Sequence, residues 1–472
     1  MQITSPQFKK NAARAIHDPQ LQSALLKMQE GAVERRAEKV AQLPEFSALR
    51  EIAKQIKDHT LAHLDYYLTE YEKNVIASGG QVHWARNDEE AKEIVLAICQ
   101  TGDGKVITKG KSMLTEEIDL NEHLIKNNFE VIETDLGEYI LQIRKEHPTH
   151  IVTPAIHVNQ QQIAADFQRI HTQLDAKRDL DKAENLLDEA RQVLRQQFLK
   201  AEIGITGANF LLAASGSSII VTNEGNGDLT QTLAKKHIVI AGIDKIVPSF
   251  ADASVLLRLL GRSATGQEIT TYTTVSTGAR QANDLDGPEE YHVVLVDNGR
   301  SALLGSQFQP MLRCIRCAAC MNHCPVYQAV GGKTYGWVYP GPMGAVLTPL
   351  FVGVDKAGNL PNASTFCGKC AEVCPVKIPL PDLMRHHREQ EFTQKLTSWH
   401  SRQLLKLWIW VGKRPKLYRL SLYLSINLLA KLAGKKGSFT HLLFLKAWTQ
   451  YRDFPAPQGK TFFQRYDKEC LS

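Results

Sequence analysis

The N-terminal part of the chain carries apolar residues at helical spacing. Segments around residues 21–43 and 46–75 place them at positions i, i+3 and i+4, with charged residues between them. This spacing predicts amphipathic helices over residues 1–75, whose apolar faces pack on another part of the protein. A docking arm for a partner protein is the alternative interpretation of the same pattern.

From residue 76 to residue 300 the pattern changes to apolar runs of strand length that alternate with amphipathic segments. The predicted strands are QVHWA, KVITKG, FEVIET, IIVTN, KHIVIAGIDKIV, TYTTVS and YHVVLVDNG. The predicted helices are NDEEAKEIVLAICQ, LTEEIDLNEHLIKN, a long charged segment at 179–202 and the segment around ASVLLRLLG. Alternation of this kind predicts an α/β domain with a largely parallel sheet.

Residues 301–395 form a third region, in which cysteine is concentrated. Its middle, YGWVYPGPMGAVLTPLF, is rich in Gly, Pro and aromatic residues. Because Gly and Pro interrupt regular structure, we expect no helix there but an apolar covering for the cysteine region. A helix is predicted where PDLMRHHREQEFTQKL follows the last cysteine of the region.

The C-terminal region, residues 396–472, differs in charge from the rest of the protein. Residues 401–472 hold 14 Lys and Arg against 3 Asp and Glu, a net charge of +11, whereas the whole chain has a net charge of +6. Trp408, Trp410, Tyr418 and Tyr423 alternate with these basic residues at helical spacing. The pattern is typical of helices that contact an anionic membrane surface or an acidic partner, or that pack as a plain helix pair. No other feature favours nucleic-acid binding.

Length and composition indicate an ordinary globular protein. The 472 residues are 43% hydrophobic and 22% charged, which suits two or three domains with sizeable cores. The N-terminal sequence lacks the apolar segment of a signal peptide, and no run approaches the roughly 18 apolar residues of a membrane span. We therefore expect a cytoplasmic, reducing location, with peripheral contact at the inner face of the membrane as a further possibility raised by the basic C-terminal region.

Seven of the nine cysteines lie in two related motifs. The first is Cys314-x2-Cys317-x2-Cys320-x3-Cys324-Pro, and the second repeats its end as Cys367-x2-Cys370-x3-Cys374-Pro. In two-cluster ferredoxins, three closely spaced cysteines bind one iron–sulfur cluster and the cysteine before Pro binds the other. This crossed rule gives the first cluster Cys314, Cys317, Cys320 and Cys374, and the second cluster Cys324, Cys367 and Cys370. We expect two 4Fe-4S clusters that serve electron transport.

Zinc and disulfides explain this spacing less well. Zinc sites generally use two separated pairs of ligands and four ligands in all, and disulfides need an oxidising compartment.

The second cluster has only three evident cysteine ligands. Ser364 occupies the position at which a complete second motif would have cysteine. A serine oxygen, a water molecule, a residue of a partner or a three-iron cluster would each account for the gap. Cys99 and Cys470 are interpreted as ordinary cysteines, since free cysteine is commonly a small buried apolar residue.

Three loops of the α/β region carry polar residues next to predicted strands. They are Gly204–Asn209, Ser215–Ser218 and Asn223–Asp228. Gly, Ser and Asn at strand ends can expose backbone N–H groups to an anion or a carboxylate, or can simply form turns. No glycine-rich dinucleotide fingerprint follows a strand, so we expect neither a bound dinucleotide nor a flavin held in that way.

Together these segments resemble the iron–sulfur subunit of the bacterial L-lactate utilisation system, the lactate utilisation protein B family. The resemblance rests on KSMLTEEIDLNEHL, ETDLGEY, PTHIVTPAIH, GITGANF, NEGNGDL, PGPMGAVLTP and the seven-cysteine pattern. It implies an α/β lactate-utilisation domain similar to sugar isomerases and CoA transferases. It also implies a mainly α, ferredoxin-like di-cluster domain, with helical extensions at both termini.

The resemblance further implies a role in oxidising L-lactate to pyruvate within an oxidoreductase complex that allows growth on lactate. The expected companions are a cysteine-rich subunit and a shorter subunit with a lactate-utilisation domain, and this chain is expected to be a subunit rather than a catalyst on its own. Two alternatives are an electron-transfer module for another dehydrogenase and a CoA-transferase-like enzyme with structural clusters. Glu224 is the candidate nucleophile for the latter.

Overall fold

The computed structural model describes residues 3–442, 446–449, 452–457 and 459–469. It divides the chain into two compact units, Met1–Gln390 and Glu391–Ser472. The larger unit contains the N-terminal helices, the α/β domain and the cysteine region. The basic C-terminal region lies in the smaller unit.

Helices fill the N-terminal region, as the apolar spacing predicts. After a 3-10 turn at Ser5–Gln7 come α1 (Phe8–Ala15), α2 (Pro19–Met28), a π-helical turn (Gln29–Val33), α3 (Glu34–Ala41), α4 (Phe46–Ala62) and α5 (Leu64–Ala77). Asp18 caps α2, because its carboxylate accepts hydrogen bonds from two backbone N–H groups of the first turn. The buried apolar face of α4, which includes Leu49 and Ala53, belongs to the same core as the cysteine region.

The α/β domain is built on a six-stranded parallel sheet. Its strands are β1 (Gln81–Ala85), β2 (Val106–Lys109), β3 (Glu130–Glu133), β4 (Ile203–Gly207), β7 (Lys236–Gly242) and β10 (Glu290–Val296), in the spatial order β1-β10-β7-β4-β2-β3. Every residue of β7 is buried, as expected for a parallel strand covered on both faces. The chain leaves β2 toward β3 but leaves β4 in the opposite direction, toward β7. Such a reversal opens a crevice at the carboxyl ends of the two strands.

Eight helices belong to this domain. They are α6 (Asp88–Gln100), α7 (Met113–Glu117), α8 (Leu120–Lys126), α9 (Leu136–Arg144), α10 (Gln160–Ile170), α11 (Ala183–Lys200), α12 (Asn226–Thr232) and α13 (Phe250–Ala264). The single helix predicted over LTEEIDLNEHLIKN is wrong, because α7 and α8 are separate. Asp119 lies between them with φ of 58°, in the left-handed region that ends a right-handed helix.

A second, mixed sheet of four strands was not predicted. It consists of β5 (Phe210–Leu212), β6 (Ser217–Thr222), β8 (Ile246–Val247) and β9 (Tyr272–Ser276), in the order β8-β5-β6-β9. Two predicted strands, IIVTN and TYTTVS, pair here in antiparallel fashion. The long strand predicted over KHIVIAGIDKIV also divides, since a 3-10 turn at Ile243–Lys245 carries the chain from β7 of one sheet to β8 of the other.

The cysteine region consists of short helices and turns. Its α-helices are α14 (Ala319–Asn322), α15 (Pro325–Val330), α16 (Gly341–Val352), α17 (Val354–Ala357), α18 (Lys369–Glu372) and α19 (Leu380–Thr393). Turns of 3-10 helix lie at Ser301–Leu303, Gln309–Arg313, Lys333–Tyr335 and Leu360–Asn362.

The prediction that the Gly- and Pro-rich segment is not helical is wrong, because α16 runs through it. Pro342 stands in the first turn, where a missing backbone N–H costs nothing. Residues 341–349 are all buried, so tertiary packing outweighs the penalty of Pro349 inside the helix.

The smaller unit contains α20 (Trp399–Gly412), α21 (Pro415–Ala433), α22 (Lys446–Thr449), α23 (Phe462–Glu469), a 3-10 turn at Gly434–Lys436 and the short antiparallel pair β11 (Ser438–Phe439) and β12 (Phe454–Pro455). Large apolar side chains on α20 and α21 are exposed to solvent, including Trp408 and Leu428. Within the part of the chain that the structure describes, no helix combines the length and apolar character needed to cross a bilayer.

Candidate iron–sulfur site and adjoining cavity

Four cysteines line one small cavity in the larger unit. Cys314, Cys317 and Cys320 come from the first motif, and Cys374 comes from the second. The remaining wall is apolar and consists of Met311, Ile315, Ala318, Met343, Pro375, Val376, Ile378 and Leu380. The four side chains are those that the crossed rule assigns to the first cluster. That they bind one cluster stays a prediction.

The backbone between these cysteines is folded tightly enough to bring them together. Arg316, between Cys314 and Cys317, has φ of 59°, and Ala318, directly after Cys317, has φ of 62°. Both values lie in the left-handed region. Gly368, between Cys367 and Cys370, has φ of 82°. A positive φ reverses the chain locally, so two-residue gaps suffice for neighbouring thiols to face the same side.

The other three cysteines of the motifs form a separate group. Cys324 and Cys370 are buried, and Cys367 is exposed. Burial, together with the nearby Cys324 and Cys367, raises the pKa of the Cys370 thiol to about 12. Cys324 and Cys367 are therefore charged neighbours of Cys370. The group therefore reaches the surface at Cys367, whereas the first group lies deeper.

The chemistry of the first group suits a metal cluster. Burial raises the pKa of Cys317 to about 12 and that of Cys374 to about 11, and it raises that of Cys320 further still. A thiol this deeply buried keeps its proton unless a metal displaces it, so cluster assembly would release protons from these residues. Four thiols that converge within an apolar wall fit a cubane iron–sulfur cluster.

Positive groups from distant parts of the chain surround the first group. Arg50 donates from Nε to the carbonyl of Cys374 at 3.0 Å, and Lys245 Nζ donates to the carbonyl of Cys314 at 3.4 Å. Arg36 donates from Nη2 to the carbonyl of Val373 at 2.9 Å.

The Nε of Arg36 is buried without an acceptor among the described residues, and Cys317 and Cys374 are among its charged neighbours. Cations and unpaired donors here would stabilise the negative charge of a thiolate-bound cluster.

The other residues that the sequence singled out are Ser364, Cys99 and Cys470. Ser364 is half-buried, and its hydroxyl accepts a hydrogen bond from the backbone N–H of Phe366 at 3.1 Å, which holds it three residues before the exposed Cys367. Cys99 is buried in the core of the α/β domain, and burial raises its thiol pKa to about 12, which makes it unreactive. Cys470 lies outside the described residues.

A larger cavity, of about 260 Å³, lies at the crevice between β2 and β4. Gly110, Gly207 and Gly242, which end or follow strands of the parallel sheet, form part of its wall. Two of the three polar loops contribute to it, through Gly207–Asn209 and through Asn223, Glu224, Asn226 and Gly227. The third loop, Ser215–Ser218, does not line it, and its Ser217 and Ser218 hydroxyls pair with Thr277 and Ser276 in the second sheet.

Glu224, the candidate nucleophile of the alternative function, lines this cavity. Burial raises its pKa, and the neighbouring carboxylate of Asp135 raises it further. Its Oε2 accepts a hydrogen bond from the backbone N–H of Leu136 at 3.5 Å.

A buried charged network joins the α/β domain to the cysteine region beside the cavity. Arg300 donates to both carboxylate oxygens of Glu117, at 3.0 and 2.8 Å, and from Nε to Asp244 at 3.0 Å. Glu117 also accepts hydrogen bonds from Asn298 at 2.7 Å and from the hydroxyl of Tyr339 at 2.5 Å. Sequence reasoning missed this network and the cations around the first cysteine group, because these residues are far apart in the chain and meet only in the fold.

Three family models match successive parts of the chain. A LUD domain matches residues 68–296, a 4Fe-4S dicluster domain matches residues 310–378, and the C-terminal region of lactate utilisation protein B matches residues 386–470. The predicted fold class is confirmed by these matches, and iron–sulfur chemistry is confirmed for the cysteine region.

Curated relatives match almost the full length. Lactate utilization protein B of Anoxybacillus flavithermus is 44% identical over 98% of this chain and 98% of its own. The protein of the same name from Bacillus subtilis is 44% identical over 98% and 96%, and that from Geobacillus thermodenitrificans is 45% identical over 98% and 97%. With this identity along nearly the whole of both chains, and with all three family models in the same order, the chain belongs to the lactate utilisation protein B family.

Proposed function

We propose that this chain is the iron–sulfur electron-transfer subunit of a multi-subunit complex that oxidises L-lactate to pyruvate. The observation that carries the proposal is the arrangement of the seven cysteines. Four converge on a buried cavity close to the large cavity of the α/β domain, and three form a group that reaches the surface at Cys367. This arrangement supports an inner and an outer redox centre in one compact unit.

Lactate gives up two electrons when it becomes pyruvate. When bound, two clusters supply two one-electron carriers, so that the pair can be taken up and passed on singly. The chain's own residues hold the thiolates and tune them. Arg36, Arg50 and Lys245 place positive charge beside the inner group, and the N–H of Ile378 donates to the sulfur of Cys374 at 3.3 Å. Both effects favour the reduced, more negative form of a centre at this position.

The outer group supports a contact with a companion subunit. Cys367 is exposed, and the group has three thiols where a complete set has four. An exposed centre lets electrons leave to a partner, and the partner could supply the missing ligand. A cysteine-rich companion and a shorter companion with a lactate-utilisation domain are the proposed members of the complex, which we place in the cytoplasm.

The purified, cluster-loaded chain is expected to show no L-lactate-dependent reduction of an artificial acceptor until both companions are added, because no flavin or nicotinamide fingerprint is present to accept a hydride. The measurement is anaerobic dye reduction with each combination of subunits. Full turnover by the isolated chain would contradict the assignment as a non-catalytic subunit.

Growth on L-lactate as sole carbon source tests the same function in cells. A deletion strain should be rescued by the wild-type gene and by the Glu224→Gln variant, but not by Cys314→Ser. Rescue by Cys314→Ser together with failure of Glu224→Gln would favour the CoA-transferase-like alternative.

The smaller unit is expected to bind anionic membranes reversibly. Lys406, Lys416 and Lys431 on α20 and α21, and Lys413 between these helices, are exposed, and the large apolar side chains of both helices also face solvent. Since each basic residue near an anionic surface contributes about 1 kcal/mol, replacing all four by Gln should weaken binding on the order of 100-fold or more. The measurement is sedimentation with vesicles that contain phosphatidylserine.

Binding should also fall steeply as salt is raised, because the attraction is screened over roughly 8 Å at physiological ionic strength. The matched control replaces four other lysines by Gln, namely Lys9, Lys10, Lys27 and Lys177, and should leave binding unchanged. If the wild-type chain stays in the supernatant at low salt, α20 and α21 have a packing role instead.

A further inference from the structure

We propose that the large cavity of the α/β domain binds a small carboxylate anion, held between Lys245 and Arg316 beside the first cysteine group. The site rests on the geometry described below. The choice of L-lactate and pyruvate as ligands rests on the proposed function.

The size of the cavity limits the ligand to a small molecule. Its volume of about 260 Å³ lies below the range of about 300–1,000 Å³ that is typical of pockets for drug-sized ligands. It occupies the crevice where the chain connections diverge from β2 and β4, the usual place for ligands in open parallel sheets. A metabolite of a few carbon atoms fits this position, whereas a dinucleotide does not.

Two of the four basic residues in the cavity wall are already paired. Lys111 Nζ lies 3.0 Å from Asp135 Oδ2, and Arg300 is held by the carboxylates of Glu117 and Asp244. These ion pairs neutralise their own charges, so neither residue supplies a free cation.

The other two basic residues, Lys245 and Arg316, are less completely paired. Lys245 Nζ is 4.0 Å from Asp244 Oδ2, and that aspartate is already bound by Arg300. Arg316 has no carboxylate within ion-pair distance among the described residues. Its guanidinium lies 4.6 Å from the centre of the Tyr339 ring, and its Nη1 donates to the sulfur of Met343 at 3.4 Å. A planar guanidinium held in place with unused N–H donors is well suited to a carboxylate.

Neutral polar groups complete the wall. The side-chain oxygen of Asn209 accepts a hydrogen bond from the backbone N–H of Val221 at 3.0 Å, which fixes the amide and leaves its NH₂ group without an acceptor in the described structure. The charged neighbours of Glu224 are Asp135 and Lys111 rather than Lys245 and Arg316. The cavity therefore offers a cationic part for a carboxylate and separate polar groups for a hydroxyl or carbonyl oxygen.

A ligand bound to Arg316 would lie close to the first cysteine group. Arg316 stands between Cys314 and Cys317 in the chain. The sulfur of Met343, which Arg316 contacts, is 3.7 Å from Cys314 Sγ. Lys245 also donates to the carbonyl of Cys314. An anion at this position should therefore change the spectroscopic signature of a cluster bound there.

The test uses the full-length, cluster-loaded protein under anaerobic conditions. Isothermal titration calorimetry measures binding of L-lactate, pyruvate, acetate and the neutral analogue lactamide. We expect the carboxylates to bind and lactamide not to bind. Because a hydrogen bond to a charged group is worth about 10- to 100-fold in affinity, Lys245→Met and Arg316→Met should each weaken binding by that factor. Arg316→Lys should restore part of it. The matched control is Lys333→Met, an exposed lysine outside this cavity.

Electron paramagnetic resonance of the wild-type protein provides a second readout that does not depend on whether the variants keep their clusters. In the wild-type protein, L-lactate or pyruvate should shift the signal of the first cluster, and lactamide should not. Failure of every carboxylate to bind, or equal binding by the wild-type and both Met variants, overturns the site. If acetate binds in the predicted way but L-lactate and pyruvate do not, the anion site stands and the choice of ligand is wrong, whereas the lactate function is decided separately by the growth test.

Discussion

Replacing Cys374 by Ala is expected to remove the inner cluster and to spare the outer one, although the nearest cysteines in the sequence belong to the outer group. The reason is that Cys374 shares its cavity with Cys314, Cys317 and Cys320. About half of the iron and acid-labile sulfide should be lost. Electron paramagnetic resonance should show that Cys374→Ala and Cys314→Ala abolish the same signal.

Cys370→Ala is the matched control, since Cys370 is also buried and lies four residues away in the same motif. It should abolish the other signal, because its neighbours are Cys324 and Cys367. Survival of one signal in each variant shows that the fold is intact. If Cys374→Ala keeps the signal that Cys314→Ala loses, the crossed ligation is incorrect, and so is the division into an inner and an outer centre.

The second large effect is expected from Arg300→Met, which should lower the free energy of unfolding by about 3–5 kcal/mol near pH 7. Arg300 is the cation between two buried carboxylates, so its loss leaves Glu117 without its ion-pair partner and removes one of the cations beside Asp244. The measurement is urea denaturation of both proteins. Arg86→Met is the matched control, because Arg86 forms an exposed pair with Glu90 that is worth at most about 0.5 kcal/mol.

The pH dependence of this effect follows from the carboxyl pKa values. Burial alone raises the pKa of Asp244, but Lys245, Arg300 and Arg316 outweigh it and hold the pKa at about 2. The pKa of Glu117 is likewise raised by burial and lowered below its ordinary value by Arg300. A carboxyl whose pKa is lowered on folding contributes stability above its unfolded pKa and loses it as pH falls through the folded pKa.

Without Arg300, Glu117 loses the cation that lowers its pKa and Asp244 loses one of several, so both carboxyls take up protons at higher pH than in the wild-type protein. The difference in stability between Arg300→Met and the wild-type protein should therefore be largest near pH 8 and smaller at pH 5. The difference in the free energy of unfolding could instead stay constant over this range or be below about 1 kcal/mol. Either result would mean that the buried charged network does not stabilise the contact between the α/β domain and the cysteine region.

These two expectations draw on information of different kinds. The crossed ligation of the clusters could be predicted from the spacing of cysteines and prolines, because gaps of two or three residues determine which thiols can bind the same cluster. The alternation of strands and helices could also be predicted, because it depends on residues that are close together in the sequence. All residues of β7 are buried, and its apolar run by itself predicts a buried parallel strand.

Other elements are determined by tertiary packing and not by the conformational preference of the local sequence. The segment 341–352 has the composition of a loop, yet it forms α16 because all of its first nine residues are buried. In such surroundings the helix satisfies its own backbone groups, which a loop does not. TYTTVS has the pattern of a strand, but nothing in it indicates that β9 pairs antiparallel in a second sheet.

The sequence by itself determined the cluster motifs, the α/β character of residues 76–300 and the basic C-terminal region, because each is encoded within a few turns of chain. Only the tertiary structure decided which cations serve the site. Arg36, Arg50 and Lys245 reach the first cysteine group from positions more than 60 residues away along the chain. Only the fold places Arg316, which has no carboxylate at ion-pair distance in the described part of the chain, beside an open cavity. Charge compensation and cavity shape depend on which side chains meet in space, and that is set by packing rather than by neighbours in sequence.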